Sequence, residues 1–600
     1  MCGIAGILSL KKYTFERNSS TKDLKSMLAK ISHRGPDESG TAEGDDFAIG
    51  NVRLNIIGKE LGKQPSRNQG TVLVYNGEIY NYSKLAISNK IKNNGSDTFV
   101  LSKLLNARSM DILTELNGMF AFCYITKDSI YLVRDQLGIK PLFYTFLNNS
   151  LYFSSEMKSF LGITDLEINV SKTFVSLETE IGEKTIFKNI FQIQPGTYIK
   201  IDRKSKKVKK IKYYSLPKNT NNLPYETLKD QLRYLITDAV DIRTKTNEKF
   251  AAYVSGGIDS SIVALLSKPN YLFTYLPDSS NSINEENYAD LLSASLPSSK
   301  LIKIRSKQDM FLKNFIHMIY INDGPTTSFA SYSQFVLSQK LNKANIRIAL
   351  SGIGADEFYN GYVRHAIAAL EPKFYKDTIF HSYEMLLQKS GVLHHSALPK
   401  SEIYMNLLSR NSPLDNETRS SFLMMTKSYP NLLSAFSAAD SKYTLPPLLH
   451  IDDHINMAFS IESRSPFLDH RVVEFGISLP DNYKIFCDPT KNKIITKHLL
   501  REAFKDILPA RIYSRKEKIG FTSNVVDLLQ INMKFMVEVS LNILRFAFPD
   551  NRYFYSNDDN LGKFSRWEYQ IVQLAITYLL FTKKYSEEEI FEYFQKNMPA

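Results

Sequence analysis

A chain of 600 residues is long enough for two or more domains, each burying its own core. Its formal net charge of +13 and pI of about 9.1 come from basic residues that are scattered, with only short clusters such as Lys204 to Lys210; this reads as general surface charge and argues against nucleic acid as a partner. The longest apolar runs, such as Ile571 to Phe581, are too short to cross a bilayer, and three cysteines without CxxC spacing argue against structural zinc or a disulfide framework, as suits a reducing cytoplasm.

In chain order, the first informative residue is Cys2, in the opening MCGIAGI. Removal of Met1 would place a thiol and a free α-amine on one residue. That amine, with an unperturbed pKa of about 7.7–8.0, can act as a base near neutral pH. The thiolate is the nucleophile. Up to about Asp202 the chain reads as many short alternating strands with a few helices, closed by Pro195 to Tyr198. Along it lie HRGPD (His33 to Asp37), VRL (Val52 to Leu54), YNGEIYN (Tyr75 to Asn81), SDT (Ser96 to Thr98), LNGMFAF, RDQLGIKPLFY and SSEMKS (Ser154 to Ser159). Asn76-Gly77 is a strong short turn signal, and a turn there would present the Gly77 amide. Residues 203–222, rich in Lys, Asn and Ser, read as a linker between a domain at 1–202 and another at 223–600.

Beyond 222 the pattern alternates strand and helix, as in a parallel α/β sheet, and becomes mainly helical after about Pro446. Phe250 to Leu266 (FAAYVSGGIDSSIVALL) predicts a strand, a Gly-rich turn and a helix N-terminus. Such a turn presents backbone N–H groups and the positive end of a helix to phosphate. No GK[ST] follows, so the loop is not of the Walker type. A second Gly-rich element, LSGIGADEFYNGY, spans Leu350 to Tyr362 and includes Ser351, Gly352, Asp356 and Glu357.

The ordered motifs of the first third, MCGIAGI included, resemble the class II glutamine amidotransferases. The resemblance implies that Cys2 attacks the glutamine amide, Arg53 binds the glutamine carboxylate, Asn76 and the Gly77 amide hold the oxyanion, and Glu78 and Asp97 bind the α-ammonium. Small departures are Asn51, where a histidine often precedes the arginine, and Phe99, where glutamate is common. SGGIDSS is similar to the pyrophosphatase loop of ATP pyrophosphatases, at Ser255, Gly256, Gly257, Asp259, Ser260 and Ser261. With LSGIGADEFYNGY, MAFSIESRSPFLDHRVVEF (Met457 to Phe475) and RKEKIGF (Arg515 to Phe521), the whole chain resembles the glutamine-hydrolysing asparagine synthetases.

That resemblance implies an α+β N-terminal-nucleophile sandwich with αββα layers. It implies in turn an α/β nucleotide-binding domain, of the adenine nucleotide α-hydrolase type, with a helical extension. It implies ATP bound by the two Gly-rich elements, including Ser351 and Gly352, and Mg2+ held by Asp259 and Asp356. Lys518 would touch the phosphates and the reacting carboxyl. The expected substrates are glutamine, ATP and a carboxylate acceptor, with aspartate favoured and a uronic acid sugar or secondary metabolite as the alternative. No membrane partner is expected, and a homodimer is left open.

Two departures touch the acceptor. Ile353 stands where the family usually carries an acid that helps ammonia attack the adenylated aspartate, and Gly324 replaces an acid often found beside Asp323. Other glutaminase-fused enzymes, such as sugar-phosphate amidotransferases, need no ATP loop. A non-catalytic homologue would not need Cys2, Arg53, Asn76, Asp259, Asp356 and Lys518 together. This reading predicts AMP and pyrophosphate as the products of ATP, observable by phosphorus NMR; ADP with orthophosphate would refute it.

Overall fold

The computed structural model describes residues 2–11, 17–92, 95–276, 285–305, 310–370, 398–409, 412–488, 493–515, 525–555 and 566–597. The N-terminal part is built on two six-stranded antiparallel sheets. In the first, Cys2–Ser9 lies at the centre between Phe47–Arg53 and Ser150–Ser154. In the second, Thr71–Ile79 pairs with Gly118–Ile125, which pairs with Ser129–Arg134. The sheets face each other through Ile4, Ile49, Val74, Ala121, Cys123 and Leu132. Helix Arg17–Lys30 covers the outer face of one sheet, through Leu24, Met27 and Leu28, and helix Asp97–Arg108 covers the other, through Val100, Leu101, Leu104 and Leu105. These are the αββα layers expected.

Two local expectations change. Asn76-Gly77 forms no turn, because both residues lie inside the fully buried strand Thr71–Ile79, with Asn76 opposite Ala121 and Gly77 opposite Phe120. A Cβ at Gly77 would stand 2.1 Å from the Met119 carbonyl oxygen, so the glycine serves close backbone approach instead. The Lys-rich stretch read as a linker contributes a strand, Val208–Lys212, which pairs with Thr197–Asp202 and forms the edge of the second sheet. Lysines on an edge strand discourage further pairing.

The C-terminal part carries a five-stranded sheet in which every neighbouring pair is parallel. Its order is Lys300–Ile304, Tyr271–Tyr275, Phe250–Tyr253, Ile348–Leu350, Glu462–Arg464. The central strand, Phe250–Tyr253, runs into helix Ile258–Ser267, so the strand, turn and helix of that motif are as expected. Helices dominate after Pro446, but Glu462–Arg464 lies within that stretch and adds the sheet's last strand.

Helix Leu445–Ala458 joins the two halves, and its inward face is charged as well as apolar. Arg34 reaches both Glu156 and Asp453 at 2.7 Å; Lys140 bonds Asp453 at 3.0 Å. Lys158 bonds Glu156 at 2.5 Å and Asp323 at 2.9 Å, and Asp323 also accepts the Met157 and Lys158 backbone amides. Burial alone would discharge these groups; their opposite partners hold Glu156 and Asp323 below the usual carboxylate range and Lys158 above its usual value. Removing one member leaves buried, uncompensated charge. Lys158→Met is therefore expected to cost about 3–5 kcal/mol in urea unfolding, whereas Lys188→Met, which breaks an exposed pair with Glu167, should cost at most about 1 kcal/mol.

Candidate active sites

The sheet register brings the first set of residues together. Cys2 lies directly opposite Arg53. The Cys2 amide donates to Asn76 Oδ1 at 3.1 Å, while Asn76 Nδ2 is buried with no hydrogen-bond partner among the described residues. An unused N–H beside a nucleophile is the kind of donor an oxyanion needs. Gln64, which sequence reasoning missed, donates from Nε2 to Cys2 Sγ at 3.6 Å and accepts the Tyr75 amide at 2.6 Å. Its only sequence signal was proximity to the strand. Burial pushes the Cys2 thiol up, against the pull of Arg53.

Arg53 donates to Glu38 at 2.8 Å, and to Asn55 and the Ile57 carbonyl at 3.1 and 3.0 Å. A bound carboxylate would share it with Glu38. Asp97 starts its helix, which Ser96 caps by accepting the Phe99 amide, and it receives the Tyr75 hydroxyl at 2.8 Å. Glu78 lies 3.7 Å from Arg464. Burial holds both carboxyls above their usual range. An ammonium between them would restore their charge.

The other motifs of this half turn toward the interface. His33 and Arg34 hold Glu156, and the Asp135 carboxyl ties the Leu137, Ile139 and Lys140 amides into the loop that presents Lys140.

The second set surrounds a cavity of about 270 Å³ in the C-terminal part. Ser255, Gly257, Asp259, Ser260, Ser351, Gly352, Ile353, Asp356 and Glu357 line it. Gly256 takes φ +64°, and a Cβ there would meet Tyr288 at 2.5 Å, so this turn requires glycine. Gly257 caps the helix, and its carbonyl accepts the Ser260 and Ser261 hydroxyls at 3.2 and 2.8 Å. The second Gly-rich element packs on the first: a Cβ at Gly352 would stand 2.9 Å from the Asp259 Cβ.

Lys497, also missed, is the cation that pairs with the acidic residues of this site. Its Nζ lies 2.5 Å from Asp259 and 2.6 Å from Asp356, and burial lowers its pKa against the pull of Asp259. Thus Asp259 and Asp356 converge on one positive charge, with Asp259 Oδ1 lacking a hydrogen-bond partner among the described residues. Two hard carboxylates converging in this way also suit Mg2+. Burial raises the Glu357 carboxyl, which accepts from the Tyr362 hydroxyl. Arg515 lines the cavity and lies over the Tyr288 ring, 4.2 Å from its centroid. Lys518 lies outside the described residues.

The two acceptor-side departures separate. Ile353 lines the large cavity, whereas Gly324 lines a different one of about 90 Å³, bounded by Phe143, Glu178 and His450. Its neighbour Asp323 is held by Lys158 and the Met157 and Lys158 amides at the interface, so Gly324 does not line the cavity that holds Ile353.

A family model described as asparagine synthase matches residues 231–552, and one described as glutamine amidotransferase domain matches residues 1–214. The chain belongs to the asparagine synthase family. It is a glutamine-dependent, ligase-type amidotransferase of that family. It is 28% identical to asparagine synthetase [glutamine-hydrolyzing] 1 of Bacillus subtilis, over 87% of each chain. It is 24% identical to asparagine synthetase B [glutamine-hydrolyzing] of Escherichia coli, over 92% of this chain and 88% of that one. It is also 25% identical to amidase chyE of Penicillium rubens, over 86% of this chain and 88% of that one.

Gly361 makes the Lys497–Asp356 contact possible, since a Cβ there would stand 1.9 Å from Lys497 Cε and 2.1 Å from Asp356 Oδ1. Gly361→Ala is expected to lower ATP-dependent turnover about 100-fold, the scale of a misplacement near 1 Å, while leaving glutamine hydrolysis unchanged. Equal losses in both assays would refute a role confined to the second cavity.

Proposed function

We propose that this protein makes an amide from a carboxylate, with glutamine as nitrogen donor and ATP as activator, and that aspartate is the favoured acceptor, giving asparagine, AMP and pyrophosphate. The observation that carries this reading is the convergence of Asp259, Asp356 and Lys497 beside two Gly-rich elements, in one chain with Cys2 set against Arg53 and Asn76. The pairing of Val208–Lys212 with Thr197–Asp202 supports a glutaminase that runs past 202 to near Lys212, with the synthetase beginning about helix Tyr225–Thr244.

At the first site Cys2 would attack the glutamine amide carbon, with the Asn76 Nδ2 and the Gly77 amide stabilising the developing oxyanion. Arg53 would bind the α-carboxylate, and Glu78 and Asp97 the α-ammonium. Collapse of that tetrahedral adduct would break the C–N bond, expel ammonia and leave a γ-glutamyl thioester, which water would hydrolyse to glutamate and the free thiol. At the second site, the amides of the Ser255–Gly257 turn and the N-terminus of helix Ile258–Ser267 would face phosphate. Ser260, Ser261, Ser351 and Gly352 would complete that lining, with Lys518 as a further phosphate contact. Asp259 and Asp356 would hold Mg2+, which neutralises phosphate charge. Attack by the acceptor carboxylate on the α-phosphorus would give an acyl adenylate and pyrophosphate. Adenylation is required because a carboxylate is a poor electrophile.

A second acceptor is supported by a specific feature. Ile353, Val363, Leu448 and Ile451 give the cavity an apolar wall, which suits a bulkier carboxylate than aspartate. The similarity to an amidase as well as to asparagine synthetases is compatible with it.

Cys2→Ala is expected to abolish glutaminase activity and glutamine-dependent synthesis while sparing synthesis from added ammonium chloride. Glutamine-dependent synthesis that survives in Cys2→Ala would rule out this nucleophile. With the unaltered enzyme, L-aspartate, glutamine and Mg·ATP should yield asparagine. Pyrophosphate release that ignores aspartate and responds to another carboxylate would instead establish the second acceptor.

A further inference from the structure

Four carboxyl side chains line the large cavity: Asp259, Asp356, Glu357 and Asp452. Asp259 and Asp356 are engaged by Lys497, and Glu357 accepts from Tyr362. Asp452 is placed differently. It projects from helix Leu445–Ala458, the element that carries Asp453 into the interface, and lines the same cavity as Ile353. Gln334 Nε2 and Asn456 Nδ2 donate to its Oδ1 at 2.7 and 3.0 Å. Ser463 and Lys140 also face it, and Asp453 adds a like charge.

Asp452 is therefore the cavity carboxyl that feels the charge of a glutaminase side chain, Lys140, which itself bonds the neighbouring Asp453 at 3.0 Å. It also stands one strand away from the glutamine site. Strand Glu462–Arg464 points Arg464 at Glu78, 3.7 Å away, and points Ser463, the next residue along the pleat, at Asp452.

We infer that Asp452 is the proton acceptor in amide formation, supplying from helix Leu445–Ala458 the carboxylate that Ile353 cannot supply. This rests on the adenylation reading given above. Ammonia's lone pair attacks the acyl carbon and the C–N bond forms. The bond from that carbon to the AMP oxygen breaks, AMP leaves with the electron pair, and one N–H proton passes to the Asp452 carboxylate. Burial holds this carboxyl up at about 6, so it is ionised at neutral pH yet basic enough to take the proton.

The test separates adenylation from amide formation. Asp452→Asn keeps an oxygen to accept from Gln334 and Asn456, so the fold is preserved. Acceptor-dependent ATP–pyrophosphate exchange, with L-aspartate or whichever carboxylate supports exchange in the unaltered enzyme, should stay within about twofold. Amide formation from ammonium chloride, read by product mass, should fall about 100-fold or more, the usual contribution of a general base. Asp452→Asn combined with Ile353→Glu returns a carboxylate to the same cavity and should recover at least tenfold of that loss. Equal losses in exchange and amide formation would make Asp452 a structural or acceptor-binding residue and overturn the inference, as would undiminished amide formation. Absence of exchange with every carboxylate in the unaltered enzyme would instead show that the adenylation reading fails, and the inference with it.

Discussion

The arrangement depends on one run of buried charge, from Glu156 and Arg34 through Asp453 and Lys140, with Lys158 and Asp323 completing it. These groups come from both halves of the chain, and neither half neutralises its own. Apart, each half would expose or discharge them; together, they are buried and paired at 2.5–3.0 Å. An apolar interface would tolerate sliding. An alternating ionic one fixes a single register, because a shift would bring like charges together. The same helix that supplies Asp453 supplies Asp452, so the register that docks the halves also sets a cavity carboxyl.

The two sites use burial in opposite ways. In the glutaminase part, Glu78 and Asp97 are buried with too little positive charge nearby, which leaves both demanding a cation. In the synthetase part, the buried carboxylates Asp259 and Asp356 already share one cation, Lys497.

Much of this was legible in the chain. SGGIDSS predicted its strand, turn and helix because glycine placement and apolar spacing are local properties. Cys2 and Arg53, singled out from the sequence, face each other through strand register, and Asn76 reaches Cys2 from the facing sheet. Asn76-Gly77 misled as a turn because local propensity yielded to the partner strand Gly118–Ile125. Lys497 was missed because it meets Asp259 across 238 residues, and no local pattern marks that contact. Gly324, the other acceptor-side departure, lines a cavity separate from that of Ile353. Asp452 and Asp453 are adjacent acids on one helix, and only packing distinguishes them: Asp453 meets Arg34 and Lys140, while Asp452 lines the cavity.

On the proposed function, nitrogen released at Cys2 is delivered to the second cavity of the same molecule. Isotope competition tests this most directly. Glutamine labelled with nitrogen-15 in its amide would be supplied with ATP, the acceptor and a large excess of unlabelled ammonium chloride, and the product amide analysed by mass. Retention of label well above the fraction set by mixing in bulk solution is the predicted result. Label diluted to the bulk fraction would contradict the account, because it would mean that the two sites share only the solvent.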